Sequence, residues 1–284
     1  GEPIWITAQK QGVKTGNVYW VGSDIAIKNT HPTYYKIYDQ KPMISFEARV
    51  DTVISWLRMK SEDRPRLIML YFDEPDAKGH HFGPRSPEVA KEVHRLDSLI
   101  GDLMKKIKQL PVASQVNVIV TADHGMTAIS PDRFVQMENY LPARWIDRAE
   151  GANPTSLFTH LGYRDSVLIA LNKIPHIKAY KKEEVPASLH YGTSDRIGDV
   201  VVCPDCGWQF GSKPSSNKGA HGYDPDSPDM QVAFYAYGPD FKKGYVSQGF
   251  VNVDVYPLLA YLMGITPEKT DGNFDRVKDL LKSR

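Results

Sequence analysis

Cysteine is nearly absent. The 284 residues hold two, Cys203 and Cys206, in a single Cys-Pro-Asp-Cys. That excludes a disulfide-stapled scaffold and leaves no second pair for a four-ligand structural zinc site. Without the βαβ setting of a thioredoxin-like motif, a local disulfide or two thiols is the expected state rather than redox chemistry. Excess charge is also missing: 35 Lys+Arg against 34 Asp+Glu gives +1, which excludes binding to a nucleic-acid polymer through bulk charge. No stretch approaches the ~18 consecutive apolar residues of a membrane span, and Gly1-Glu-Pro-Ile-Trp5 has neither the basic nor the apolar region of a signal peptide. The chain also opens without methionine and passes straight into apolar, strand-like residues 4–8, so a piece cut from a longer polypeptide is expected. No internal repeat or low-complexity segment is present.

What is there is enough apolar material for one large core, with 41% of residues hydrophobic. A domain of this length buries roughly three quarters of its unfolded surface and folds without staples. Short apolar runs at 67–72, 116–122, 167–171, 199–202 and 232–236 read as strands by length and β-branched content. Between the first two, Ser86-Pro-Glu starts a helix whose apolar face is Val89, Val93, Leu96, Ile100, Leu103 and Ile107, so a right-handed βαβ crossover is predicted. Two further amphipathic helices are predicted over 46–60 and 253–263, the second stopped by Gly264. The alternation predicts an α/β fold: a doubly wound, mostly parallel sheet with helices on both faces. Residues 153–214 mix Pro, Gly, charges and short strands and read as a small inserted subdomain within a single catalytic domain over 1–284.

In such sheets ligands bind beyond the carboxyl ends of the strands, and metal-ligating residues gather there. The first run is followed by Asp73-Glu-Pro-Asp76-Ala-Lys-Gly-His80-His81. In a helical turn Asp76 and His80 share one side, with Cβ atoms about 5–6 Å apart. The second run ends in Asp123-His124-Gly, and Lys218-Gly-Ala-His221-Gly sets a histidine among glycines, where the backbone allows close approach. Each alone has an ordinary reading: a turn hydrogen bond, an Asx-turn, a surface histidine. Three together at strand ends point to a metal centre. His81 is an alternative to His80, whose spacing from Asp76 favours it. His31, His94, His160, His176 and His190 have no comparable surroundings, and Asp73 and Glu74 read as solvated or supporting carboxylates.

These residues resemble the nucleotide pyrophosphatase/phosphodiesterase branch of the alkaline phosphatase superfamily. The resemblance rests on Glu2-Pro-Ile-Trp-Ile-Thr-Ala-Gln-Lys-Gln-Gly12, Tyr71-Phe-Asp-Glu-Pro-Asp76-Ala-Lys-Gly-His80-His-Phe-Gly-Pro84, Thr121-Ala-Asp123-His124-Gly-Met126, Lys218-Gly-Ala-His221-Gly-Tyr-Asp224 and Val253-Asp-Val-Tyr-Pro257. It implies an alkaline phosphatase-like fold and hydrolysis of phosphodiester or pyrophosphate bonds in nucleotides or related small molecules, at two zinc ions flanking a threonine nucleophile. Asp76, His80 and His221 would hold one zinc, and Asp123 and His124 part of the other. The nucleophile and a further Asp precede the Glu-Pro-Ile-Trp motif in the family, and that motif begins here at Glu2. An N-terminal portion carrying both is therefore expected upstream of Gly1, with no catalytic residue within the sequence and at most one tightly held zinc. Thr121 is better explained as a strand residue. Tyr71 matches a position whose ring packs on the nucleobase, against a plain core reading, and Tyr34 and Tyr35 are weaker candidates. Relatives act outside the cytoplasm, so an extracytoplasmic location is implied. The alternatives are another superfamily hydrolase, acting on phosphonates or phosphomonoesters, and a non-catalytic zinc-binding module.

Overall fold

The computed structural model describes residues 1–38 and 42–283. In chain order the elements are α1 (Ile4–Lys10), β1 (Thr15–Val18), β2 (Tyr34–Lys36), α2 (Phe46–Leu57), β3 (Leu67–Leu70), α3 (Asp76–Phe82), α4 (Pro87–Lys108) and β4 (Val118–Thr121). There follow β5 (Thr127–Ala128), β6 (Phe134–Gln136), β7 (Ile146–Gly151), β8 (Thr155–Thr159), α5 (Arg164–Leu171), β9 (Ile177–Lys181) and β10 (Val200–Pro204). The last are β11 (Gln209–Gly211), β12 (Gly219–Ala220), β13 (Phe234–Tyr237) and α6 (Val255–Met263). Contacts divide the chain into two compact units, one of residues 1–73, 94–121 and 234–284 and one of 74–93 and 122–233.

The first unit is layered. Its parallel sheet has the order β2-β1-β3, with Gly16 opposite both Tyr34 and Ile68. Alternate residues of β3 serve opposite faces, as the two-residue period of a strand requires. Leu67 and Met69 pack with Ile4, Trp5, Ala260 and Met263 of α1 and α6, while Ile68 and Leu70 pack with Val50, Ile54 and Leu103 of α2 and α4. Helix α2 starts at Ser45, whose hydroxyl accepts the Ala48 N–H, and α6 stops at Gly264 with φ 69°. Strand β4 pairs antiparallel with β13 rather than with β3, so the predicted βαβ unit is not a single crossover within one sheet. Residues 4–8 form helix α1, not a strand: all five are buried, the apolar four packing with β3 and α6, and so short a run carries no period that separates the two. On α4, Val93 of the predicted apolar face is 49% exposed while the neighbouring Glu92 is buried, both in the part of the helix that belongs to the second unit.

Glu2 is buried in this unit, accepting from Thr7 and ion-paired with Lys10 and Lys28. The Lys10 and Lys28 ammonium groups hold its carboxyl down to about 2, against 4.5 when unperturbed. A carboxyl depressed on folding stabilises the native state above its unfolded pKa, and the contribution is lost as pH falls through the folded one. Thermal melts should therefore show wild type losing its advantage over Glu2→Gln between pH 4.5 and about 2. A pH-independent difference between the two would contradict this role.

The second unit is built on an antiparallel sheet of order β7-β8-β10-β9. Helix α5 covers it, burying Val167 and Leu171 against Val200, Val202 and Leu157. The run 167–171 was expected as a strand. It is helical because Val167 and Leu171, four apart, share the buried side while Ile169 is 61% exposed. Two short pairs complete the unit, β6 with β11 and β5 with β12, and α3 packs on β12.

Candidate metal centre

All five expected ligands lie in the second unit. Asp76 opens α3, whose first turn is held by Glu74, its Oε2 accepting the Lys78 N–H at 3.1 Å. His80, one turn on, presents Nε2 to Asp76 Oδ1 at 3.5 Å. His221, immediately after β12, brings its Nε2 to 3.8 Å from the same oxygen. One ligand atom from each of the three lies within 4.8 Å of the others. His81 points away, exposed and edge-on to Phe82, because adjacent helical residues are turned about 100° apart. Asp73 belongs to the other unit and is ion-paired with the buried Arg49 at 2.8 Å.

Two observations show that the cluster suits a cation. Among the described residues Asp76 Oδ1 is buried without a hydrogen-bond partner, a costly state for a carboxylate unless a cation meets it. The His80 Nδ1–H donates to the Gly219 carbonyl at 2.9 Å, which fixes the tautomer and leaves the Nε2 lone pair facing Asp76. That contact needs a glycine at 219, where a Cβ would stand 2.3 Å from the Gly79 carbonyl oxygen.

Asp123 and His124 sit beside this trio. The Asp123 carboxylate accepts the His124 N–H at 3.1 Å, and its other oxygen lies 3.6 Å from His124 Nε2. The His124 Nδ1–H donates to Gly125 O at 3.0 Å, so Nε2 is again the free nitrogen. Its ring stacks on His221 with centroids 3.5 Å apart and planes 14° from parallel. Burial first, then the charge of His124, depresses the His221 pKa. The imidazole is thereby kept in the neutral form that binds metal.

Two other candidates are not among the clustered ligands. Tyr71, in the first unit, is half-buried with edge and tilted contacts to Trp20 and Tyr38. Cys203 and Cys206 are both thiols, on the wall of a cavity of about 600 Å³ shared with Tyr180, Tyr191 and Tyr223. Burial raises the Cys203 pKa, which keeps that thiol protonated and inert. Among the described residues the group of close ligands is Asp76, His80 and His221, so the thiols are not part of the metal cluster. Sequence reading missed Thr127, Asp229 and Met230, which brace the Asp123–His124 loop, because nothing local marks residues that meet a hundred positions apart.

The profile of the family described as "Type I phosphodiesterase / nucleotide pyrophosphatase" matches residues 1–224. Human ectonucleotide pyrophosphatase/phosphodiesterase family member 5 is 35% identical over 99% of the chain and 59% of its own length. The human family member 1 is 35% identical, over all of the chain and 32% of its own length. Bovine bis(5'-adenosyl)-triphosphatase ENPP4 is 36% identical, over 98% of the chain and 62% of its own length. The chain thus spans between about a third and three fifths of these relatives. The solved structure of an inactive Thr→Ala variant of murine ectonucleotide pyrophosphatase/phosphodiesterase 5, in complex with AMP, superposes with TM-score 0.91 at 36% identity, covering 99% of this chain and 75% of that one. The α/β fold is accordingly alkaline phosphatase-like. With the motifs, the clustered ligands and the whole backbone in agreement, the chain belongs to the type I phosphodiesterase/nucleotide pyrophosphatase family.

Proposed function

We propose that this chain carries the metal centre of a zinc-dependent hydrolase that cleaves phosphodiester or pyrophosphate bonds in nucleotides. The observation that carries the reading is the buried Asp76 Oδ1, without a hydrogen-bond partner among the described residues, facing the Nε2 atoms of His80, whose tautomer the Gly219 carbonyl fixes, and of His221. One carboxylate and two imidazoles are a donor set that would suit zinc. Asp123 and His124 contribute to a second zinc, which needs further ligands. Bound zinc supplies Lewis acidity, polarising the phosphoryl group and offsetting charge on the leaving oxygen. The protein residues do the rest: Asp76 and His80 fix the ion through α3, His221 through β12, and the Gly219 carbonyl keeps His80 aimed.

A threonine does the attack in the whole protein, a reading supported by the inactive Thr→Ala murine relative. None of the 284 residues is assigned that role. Nucleotide substrates are supported by the AMP complex of that relative and by the bis(5'-adenosyl)-triphosphatase name of another. Tyr71 is the residue proposed to stack on the base, a contact of about 1–3 kcal/mol that holds a nucleotide without reading its identity. An extracytoplasmic location is supported by the "ecto" in the relatives' names. Among the described residues no helix is long and apolar enough to cross a membrane. The test is the rate of the zinc-loaded full-length protein on a diester and a monoester bearing the same leaving group. The diester should be preferred. A preference for the monoester would move the protein to the phosphatases of the superfamily.

A further inference from the structure

The loop that carries Asp123 and His124 has little regular structure to hold it. Strand β5, directly after it, is two residues long and pairs with an equally short β12. Thr127 lies opposite Ala220 and Ala128 opposite Gly219, and the Ile129 N–H donates to Lys218 O at 3.1 Å. So small a ladder must keep in register the segment that supplies both His221 and the carbonyl that aims His80. Isolated pairings of this size are at best marginal. Something else must fix them.

The turn at 228–230 meets the loop directly. Thr127 is buried, and its hydroxyl donates to Asp229 Oδ2 at 2.7 Å. The Gly125 N–H donates to Met230 O at 3.1 Å. A Cβ at Gly125 would lie 2.0 Å from the Asp229 carbonyl oxygen, so the loop and the turn are in direct backbone contact. The backbone of Thr127 therefore faces the residue before His221 while its side chain is tied to Asp229. Asp229 is not itself a ligand of the cluster: one oxygen is engaged by Thr127, and it lies outside the close group of Asp76, His80 and His221.

We propose that Asp229 is a positioning residue of the metal centre: through the Thr127 hydroxyl it holds β5 against β12, keeping His221 in register with Asp76 and His80 and stacked on His124. The inference rests on the metal reading above and extends it to two residues that touch no ligand atom of the trio. Losing a partner that orients a metal ligand typically weakens metal affinity by about 10–100-fold.

The experiment is a zinc titration of the full-length protein against a chromophoric chelator. Thr127→Val, which keeps the shape and loses the hydroxyl, and Asp229→Ala should each bind zinc about 10-fold more weakly or worse. Thr127→Ser and Asp229→Asn, which keep a donor and an acceptor, should stay within about threefold of wild type, since the hydrogen bond survives. Asp229 is exposed, so Asp229→Ala provides a folded variant even where the buried Thr127→Val does not; melting curves of the metal-free proteins check this. His80→Ala and His221→Ala run alongside. Wild-type affinity in Thr127→Val and Asp229→Ala, with zinc lost in the two histidine variants, overturns the positioning role alone. Zinc retained in the histidine variants overturns the metal reading and the positioning role with it. Ser and Asn variants as weak as Val and Ala also count against the proposal, since the hydrogen bond is then not what matters.

Discussion

Replacing His221 with alanine is expected to weaken zinc binding by at least about 100-fold, since four-ligand zinc sites are held by roughly 10–16 kcal/mol, or about 3 kcal/mol per ligand. The variant leaves Asp76 and His80 as a two-ligand remnant at 3.5 Å. His81→Ala should bind zinc as wild type does, because that ring is exposed and packs only on Phe82 among the ring contacts described. Competition against a chromophoric chelator reads both variants. Equal losses in the two would mean that the ion, if bound, does not sit where α3 and β12 meet.

Gly219→Ala is expected to disrupt the centre from the backbone. The new methyl group would stand 2.3 Å from the Gly79 carbonyl oxygen and 3.1 Å from Met126 Sδ, and α3 and β12 must move apart to admit it. Overpacking of this kind costs about 1–3 kcal/mol of stability. The same movement draws the Gly219 carbonyl away from His80 Nδ1, now at 2.9 Å, so zinc affinity should fall by about 10–100-fold as well. Melting of the metal-free protein and chelator competition measure the two effects separately. A Gly219→Ala protein with wild-type melting and wild-type affinity would contradict the close approach.

Much of the centre was legible in the sequence because its parts are local. Asp76 and His80 are four apart, and in α3 that spacing alone puts both on one side and turns His81 away. Asp123 and His124 directly follow a strand, and glycines flank His221, so each half-motif carried its own signal. What brings the halves together is not local. Gly79 and Gly219 are 140 positions apart, as their backbones meet across α3 and β12. Thr127 and Asp229 are 102 apart, and neither residue type is unusual where it stands.

The same division holds for the fold. Helix α2 follows from its amphipathic pattern and α6 from its pattern and end, with Gly264 as marker, whereas the Ser45 cap of α2 is seen only in the structure. Short apolar runs carry no such signal: residues 4–8 and 167–171 are helical, and the environment that decides it comes from other segments. Strand partners were hidden for the same reason, β4 pairing with β13 more than a hundred residues later. Two motifs of the family resemblance meet in the fold. Thr7 of the first shares a 2.6 Å hydrogen bond with Tyr256 of the last, so those segments join α1 to α6.

The central claim, that Asp76, His80 and His221 hold one metal ion, is tested most directly by anomalous diffraction at the zinc edge from crystals of the zinc-loaded protein. The account predicts a peak between Asp76 Oδ1, His80 Nε2 and His221 Nε2, with zinc–nitrogen distances of about 2.0–2.1 Å. A peak elsewhere, or none at this cluster in crystals that contain zinc, would contradict it.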